Sequence, residues 1–216
     1  IQRIRGRAVF EGADRVRLHE SEVSHIKFKH AILATGSHPI PFPGVPFKKD
    51  GRIMNSTGAL ELSDIPETLL VLGGGYVGLE IGSVYATLGS KVSVVELGDR
   101  LLPGIDTDLV KPLQKRLMSV FESIRLDTRV TALEEDGAGV TVTLEKDGES
   151  SRASFQRVLV AIGRRPNTRN LGLKKTGVRV EDRGCVVVDA QQRTADRRIL
   201  AVGDVVGGMM LAHKAS

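Results

Sequence analysis

The chain has 216 residues, 41% hydrophobic and 26% charged, the balance of an ordinary globular protein with one large domain or one domain plus pieces of another. No apolar run reaches the ~18 residues of a membrane helix, so no bilayer-spanning segment is expected. The net charge of +5 comes from 31 Lys and Arg scattered among 26 acids, and aromatic residues make up only 4%. A mildly basic solvated surface is expected, with neither nucleic acid nor membrane as partner.

Cys185 is the single cysteine. One cysteine excludes an internal disulfide and a cysteine-paired zinc site, and no metal is expected. Its place before Val186-Val187-Val188 reads as a small apolar residue at a strand start. The chain opens at Ile1 and stops at Lys214-Ala215-Ser216 inside what reads as a starting helix. Neither end resembles a natural terminus, and a stretch from the middle of a longer protein is expected. No signal peptide is visible, and a trimmed start could not show one.

Strand-like and helix-like segments alternate, which predicts an α/β protein with a largely parallel sheet. An apolar strand over 31–34 ends at Thr35-Gly36-Ser37. Pro39, Pro41, Pro43 and Pro46 follow within eight positions. Prolines fix φ and lack a donor, so this is read as an extended linker and a domain boundary. Residues 69–72 form a continuous apolar strand, as expected when both faces are buried. It runs into Gly73-Gly74-Gly75 and then a helix with Val77, Ile81, Val84 and Leu88 on one face. Gly89 stands where a helix-closing glycine belongs, and residues 92–96 make a second strand.

A second helix is predicted from 108 to about 120, with Leu109, Leu113, Leu117 and Val120 on one side. Pro112 fits it only in the first turn. A β-meander of strands 129–134, 140–145 and 155–161 follows, with turns at Asp136-Gly137 and Asp147-Gly148. Beyond Gly163 come a loop, a strand over 185–189 and a last strand over 199–202 ending at Gly203-Asp204. No solenoid-length repeat or low-complexity tract is present.

Gly73-Gly74-Gly75-Tyr76-Val77-Gly78 fits G-x-G-x-x-G between a buried strand and a helix, where a dinucleotide's pyrophosphate is held. Gly73 permits the tight turn, Gly75 lets backbone approach the phosphates, and Gly78 lets the helix pack on the strand. The helix N-terminus offers N–H groups and a positive dipole to the anion. An acid should end the second strand about 20 residues on, and Glu96 stands 18 after Gly78. Its carboxylate would accept from both ribose hydroxyls and repel a 2′-phosphate. Arg100 is close, but Asp99 beside it weakens any phosphate pocket, so NAD is expected rather than NADP. Two further glycine-ended strands, at Gly36 and Gly203, hint at a second nucleotide site. There Asp204 is either a helix cap or turn residue or a ligand-binding carboxylate.

The whole chain resembles the central portion of the flavoprotein disulfide reductases. Ala34-Thr35-Gly36 resembles the hand-over from their FAD domain to their NAD domain. Ala161-Ile162-Gly163-Arg164-Arg165-Pro166-Asn167 is similar to the loop closing the NAD domain. Thr194 with Ile199-Leu200-Ala201-Val202-Gly203-Asp204 resembles the second FAD motif. Met210-Leu211-Ala212-His213-Lys214-Ala215 resembles the branch of the family that oxidises dihydrolipoamide. Glutathione and mercuric reductases differ there.

The resemblance implies a Rossmann-like NAD-binding domain over 38–166 carrying the β-meander. It also implies remnants of an FAD-binding domain of the same type, over 1–37 and, as a return segment, over 167–216. NAD would be bound by Gly73, Gly74, Gly75, Tyr76, Val77 and Gly78, with Glu96 on the ribose, Val130 at the adenine and Gly163 through its backbone. FAD would touch Ala8, Thr35, Gly36, Ser37, Asp204, Met210, Leu211, Ala212 and His213. Glu80 matches a glutamate that pairs with a lysine near the flavin, and is otherwise a partly exposed helix residue. The family's redox cysteine pair, its first FAD glycine motif and its histidine–glutamate base have no counterpart among these residues. No catalytic residue is therefore expected here, and the FAD site is expected to be incomplete. Implied for the intact enzyme are a homodimer and dihydrolipoamide borne on an acyltransferase or a glycine-cleavage carrier protein. The bacterial cytoplasm or the mitochondrial matrix would suit its few cysteines. A sibling reductase, or an NAD-binding or sensing module without turnover, are the alternatives.

Overall fold

The computed structural model describes residues 1–215; Ser216, assigned above to a starting helix, lies outside the described residues. The chain divides into two compact units, one of residues 1–38 with 164–216 and one of residues 39–163.

The first segment carries β1 (Arg7–Gly12), β2 (Arg15–His19), β3 (His25–Lys27), β4 (Ala31–Leu33) and β5 (Ser37–Pro39). The middle unit carries β6 (Ile53–Met54), α1 (Ser56–Leu60), β7 (Thr68–Leu72), α2 (Tyr76–Thr87), β8 (Lys91–Val95) and α3 (Thr107–Leu117). It continues through β9 (Ser123–Arg125), β10 (Arg129–Glu135), β11 (Val140–Lys146), β12 (Glu149–Phe155) and β13 (Arg157–Val160). The return segment carries β14 (Arg164–Pro166) and β15 (Ile199–Ala201), with short 3-10 turns at Leu173–Lys175, Gly203–Val206 and Ala212–Ala215. Among the described residues no helix is long and apolar enough to cross a membrane.

The middle unit is a three-layer α/β structure of Rossmann-like design. Its sheet has the order β6-β13-β7-β8-β9, and every pairing is parallel. Leu69 and Val71 of β7 face one way, Leu70 and Leu72 the other, and all are buried. The first pair joins Val92, Val94 and Leu159 beneath the helices, against Ala59, Leu79, Tyr85 and Leu117. The second pair joins Val158 and Val160 beneath the meander, against Val130, Leu133, Val142 and Leu144. Both sheet faces are covered, as the unbroken apolar runs require.

The three meander strands are β10, β11 and β12, all antiparallel. The expected third strand over 155–161 is corrected in two ways. Residues 157–160 belong to the parallel sheet, beside β7, and the meander closes instead with Glu149–Phe155. That edge strand is polar and mostly exposed, so it has no apolar pattern to read. Asp136 accepts the Ala138 and Gly139 amides, both at 2.8 Å, in the β10–β11 turn. Those bonds hold its carboxyl below the usual carboxylate range.

Other expectations are also corrected. On α2, Ile81 is buried but Val84 and Leu88 are 47% and 48% exposed; the buried face runs instead through Gly78, Leu79, Gly82 and Tyr85. Gly82 lies so close to the sheet that an added Cβ would meet Val71 Cγ2 at 3.2 Å, so the contact is made by an absence of side chain. On α3, Leu109 is 67% exposed and Leu113 is also exposed, while Val110 and Leu117 are buried. Pro112 sits inside α3 beyond the first turn. The proline-rich stretch is more than a linker: Val45 donates to the Phe42 carbonyl, and Phe42, Val45 and Phe47 pack onto the core under the meander. Residues 185–189 form no strand; Val186 makes an isolated bridge to Val180, and its amide donates to the Val205 carbonyl at 2.9 Å. Cys185 is buried.

In the other unit, β1-β2-β3 is an antiparallel sheet unforeseen in the sequence, β15 pairs parallel with β4, and β14 pairs with β5. Phe10, Leu33, Val186, Ile199, Ala201 and Val205 form its core.

Candidate functional site

The chain runs from β7 outward to β8 and β9, then returns to the other side of β7 as β13. The carboxyl end of β7 is therefore the point where strand order reverses, the position at which parallel α/β sheets open a crevice. The glycine loop occupies this point. Gly73 has φ +111, and a Cβ on it would fall 2.5 Å from the Ala161 carbonyl oxygen at the end of β13. A Cβ on Gly78 would fall 2.5 Å from the Gly73 carbonyl oxygen and 2.9 Å from Val71 Cγ1. These two glycines let loop, helix and both strand ends close on one another.

Gly75 is different. It caps α2 in an extended conformation, no side chain caps the helix, and nothing lies within 4 Å of where its Cβ would stand. The 12-residue α2 thus begins beneath open space, with Tyr76 and Val77 in its first turn. A helix start of this kind favours an anion through its amides and its dipole.

Glu96 directly follows β8, and its amide donates to the Arg125 carbonyl of β9. One carboxylate oxygen accepts the Gly74 amide at 2.6 Å and the other accepts the Gly98 amide at 2.7 Å. The acid therefore stands beside the glycine loop and ties it to the loop after β8. Each oxygen keeps capacity for a further donor. Val130 is buried in β10, and Gly163 accepts the Ile40 amide at 3.0 Å. Glu80 is exposed on α2, and its side chain makes no hydrogen bond or ion pair among the described residues.

A second cluster lies in the other unit. Ser37 Oγ donates to Asp204 Oδ2 at 2.5 Å, and Arg164 Nε donates to Ser37 Oγ at 2.7 Å. Arg164 also reaches the Ser37 carbonyl at 3.0 Å and stands 3.7 Å from Asp204 Oδ2. Thr35 and Asn167 exchange hydrogen bonds, each at 2.8 Å, and the Asn167 amide donates to the Gly36 carbonyl. His38 Nδ1 lies 2.6 Å from Asn167 Oδ1. Thr35, Gly36, Ser37 and Asp204 are thus brought together around Arg164 and Asn167. Those two were quoted above only as parts of a closing loop, because nothing in a charged loop motif indicates which distant carboxylate it will hold. Ala212 and His213 open the next turn, a 3-10 rather than an α-helix, with Met210 and Leu211 just before it, and Ala8 is exposed on β1.

A parallel sheet, a glycine loop at its switch point and an acid at the end of the second strand define a Rossmann-like α/β protein. The chain belongs to the pyridine nucleotide-disulphide oxidoreductase family, whose profile matches residues 2–216. It is 42% identical to the dihydrolipoyl dehydrogenase of Geobacillus stearothermophilus, covering 100% of this chain and 46% of that protein. It is 44% identical to that of Vibrio parahaemolyticus, covering 98% and 44%. Among solved structures it resembles the HOCl-induced flavoprotein disulfide reductase RclA of Escherichia coli in its Cu(II) complex. The TM-score is 0.85 at 31% identity, over 97% of this chain and 47% of that one. LpdA of Mycobacterium tuberculosis gives a TM-score of 0.83 at 28% identity, over 98% and 47%. The chain spans less than half the length of the relatives it matches.

Proposed function

We propose that the 38–166 domain binds NAD in the crevice at the end of β7, as part of an FAD-dependent dihydrolipoamide dehydrogenase. The observation that carries the reading is the pairing of an open, uncapped α2 start at Gly75 with the Glu96 carboxylate beside it. The Gly75 opening fits a pyrophosphate, which needs backbone access and no side chain. Tyr76 and Val77 would present the first-turn amides, Glu96 would receive the ribose hydroxyls, Val130 would border the adenine and Gly163 would offer backbone. A 2′-phosphate would meet the Glu96 charge, which favours NAD over NADP.

The Ser37–Asp204–Arg164 cluster fits the sugar-alcohol portion of FAD. Its carboxylate is held from one side by a hydroxyl and a guanidinium, yet remains partly exposed. Thr35 and Gly36 would fix the adjoining backbone, with Met210, Leu211, Ala212 and His213 facing the ring system and Ala8 the adenine, and Glu80 would keep the implied role of pairing with a lysine near the flavin. The chemistry supplied when both groups are bound is passage of two electrons from a cysteine pair through FAD, then hydride to NAD. This chain's own residues bind and orient; none of them is assigned a proton or a bond to break. Dihydrolipoamide on a carrier domain would be the substrate, and a cytoplasmic homodimer the working form.

The test uses the full-length parent enzyme. Purified with flavin, it should reduce NAD with dihydrolipoamide and reduce NADP at least ~10-fold less well, the margin set by a charged hydrogen bond of ~1.5–3 kcal/mol. Reduction of glutathione disulfide or mercuric ion in place of the lipoamide reaction would assign a sibling activity instead. A second reading, as another flavoprotein disulfide reductase, is favoured by the likeness to RclA.

A further inference from the structure

The basic residues scattered along the sequence do not stay scattered in the fold. In β2, Arg15, Arg17 and His19 are exposed while Val16 and Leu18 are partly buried between them. Residues directly opposed in an antiparallel pair share a face. The registers Arg7↔His19 and Val9↔Arg17 therefore add Arg7, and Arg17↔His25 and Arg15↔Lys27 add the exposed ends of β3. The other face turns Phe10 and Val16 into the core of this unit.

The outer face thus carries Arg7, Arg15, Arg17 and Lys27 with two histidines, against the single carboxylate of Glu11. Glu11 already engages Arg15 at 3.3 Å and His25 at 3.4 Å. Arg7, Arg17 and Lys27 make no ion pair among the described residues. The neighbouring cleft of about 520 Å³, lined by residues 2–5 and 20–23, sets Arg3 and Arg5 against Glu20 and Glu22. It adds no net charge, so the sheet and not the cleft is the cationic surface.

We propose that the outer face of β1-β2-β3 docks an extended acidic polypeptide segment of a partner protein. Arg15 and Arg17 stand two residues apart along β2, roughly 6.8 Å, and this is the spacing of same-side carboxylates in an extended peptide. The strands lie about 4.8 Å from one another, so a single acidic strand can be met from both sides. A nucleic acid is disfavoured because the face offers no Phe, Tyr or Trp ring for a base: Phe10 and Phe28 pack together edge-on, centroids 6.0 Å apart, with the core.

The test is fluorescence anisotropy of the full-length parent enzyme with a labelled peptide alternating Glu and Ser, with its Gln–Ser counterpart as uncharged control. The acidic peptide should bind saturably and weaken from about 50 to about 200 mM salt, as exposed charges are screened. The triple variant Arg15→Glu, Arg17→Glu, Lys27→Glu should lose about 10-fold or more, and Arg17→Gln alone about 3-fold. Lys111→Glu, Lys115→Glu, Arg116→Glu on α3 changes net charge equally and should stay within about 2-fold of the parent. Equal loss in both triple variants, no saturable binding of the acidic peptide, or equal binding of the Gln peptide would overturn the proposal. So would a single-stranded oligonucleotide of equal charge that binds more tightly and loses that binding in the β-sheet variant.

Discussion

The Gly74 amide and Glu96 Oε2 are joined at 2.6 Å, which makes the acid that follows β8 a brace for the glycine loop that follows β7. The same carboxylate holds the Gly98 amide. Stability and nucleotide choice therefore meet in one side chain. Glu96→Ala should cost on the order of 1.5–3 kcal/mol of stability, the scale of a hydrogen bond to a charged group, and should also erase the preference for NAD over NADP. Chemical denaturation and calorimetric titration of the same variant check the two halves. A variant that keeps full discrimination would remove Glu96 from the ribose.

The glycines of the loop should separate into two kinds. Gly78→Ala drives a Cβ against the Gly73 carbonyl oxygen and should destabilise the middle unit by about 1–3 kcal/mol, since backbone cannot yield as a side chain can. The Cβ of Gly75→Val would stand clear of the protein by 4 Å or more, so the variant should leave far-UV circular dichroism nearly unchanged while abolishing NADH binding. Thermal melts beside NADH titrations distinguish them. A folded Gly75→Val protein that still binds NADH would mean the loop glycines serve the fold alone.

Tyr85 links α2 to α1, its hydroxyl donating to the Ala59 carbonyl at 2.7 Å in a buried position. Burial, and then the nearby Asp64 charge, raise its pKa above the usual value near 10, with Arg157 opposing. The folded state thus favours the neutral phenol. Its contribution is complete below the unfolded pKa and is lost as pH rises through the higher folded value. Tyr85→Phe should cost about 0.5–1.5 kcal/mol near pH 8 and flatten the fall in stability above about pH 10. Urea midpoints across that range check this; an identical alkaline slope in both proteins would contradict it.

The strand–loop–helix at 68–87 was legible because its burial is two-sided and its glycines stand at fixed offsets. Much of the rest was hidden by context. The buried face of α2 is built partly on Gly78 and Gly82, so apolar spacing pointed toward Val84 and Leu88, which are exposed. β12 is a polar edge strand fixed by its pairing with β11 rather than by any pattern of its own. The apolar run after Cys185 offered a strand, but beyond the lone Val180–Val186 bridge it finds no partner strand. Arg164 reaches Ser37 and Asp204 across long stretches of sequence, a relationship no local spacing encodes.

Calorimetric titration of the folded chain with NADH and with NADPH shows whether the crevice at Gly75 and Glu96 takes NAD. NADH should bind saturably and one-to-one, at least ~10-fold tighter than NADPH, the factor expected from one charged hydrogen bond gained and one phosphate repelled. Equal affinities, tighter NADPH, or no saturable binding of either nucleotide would mean that the crevice is not an NAD site.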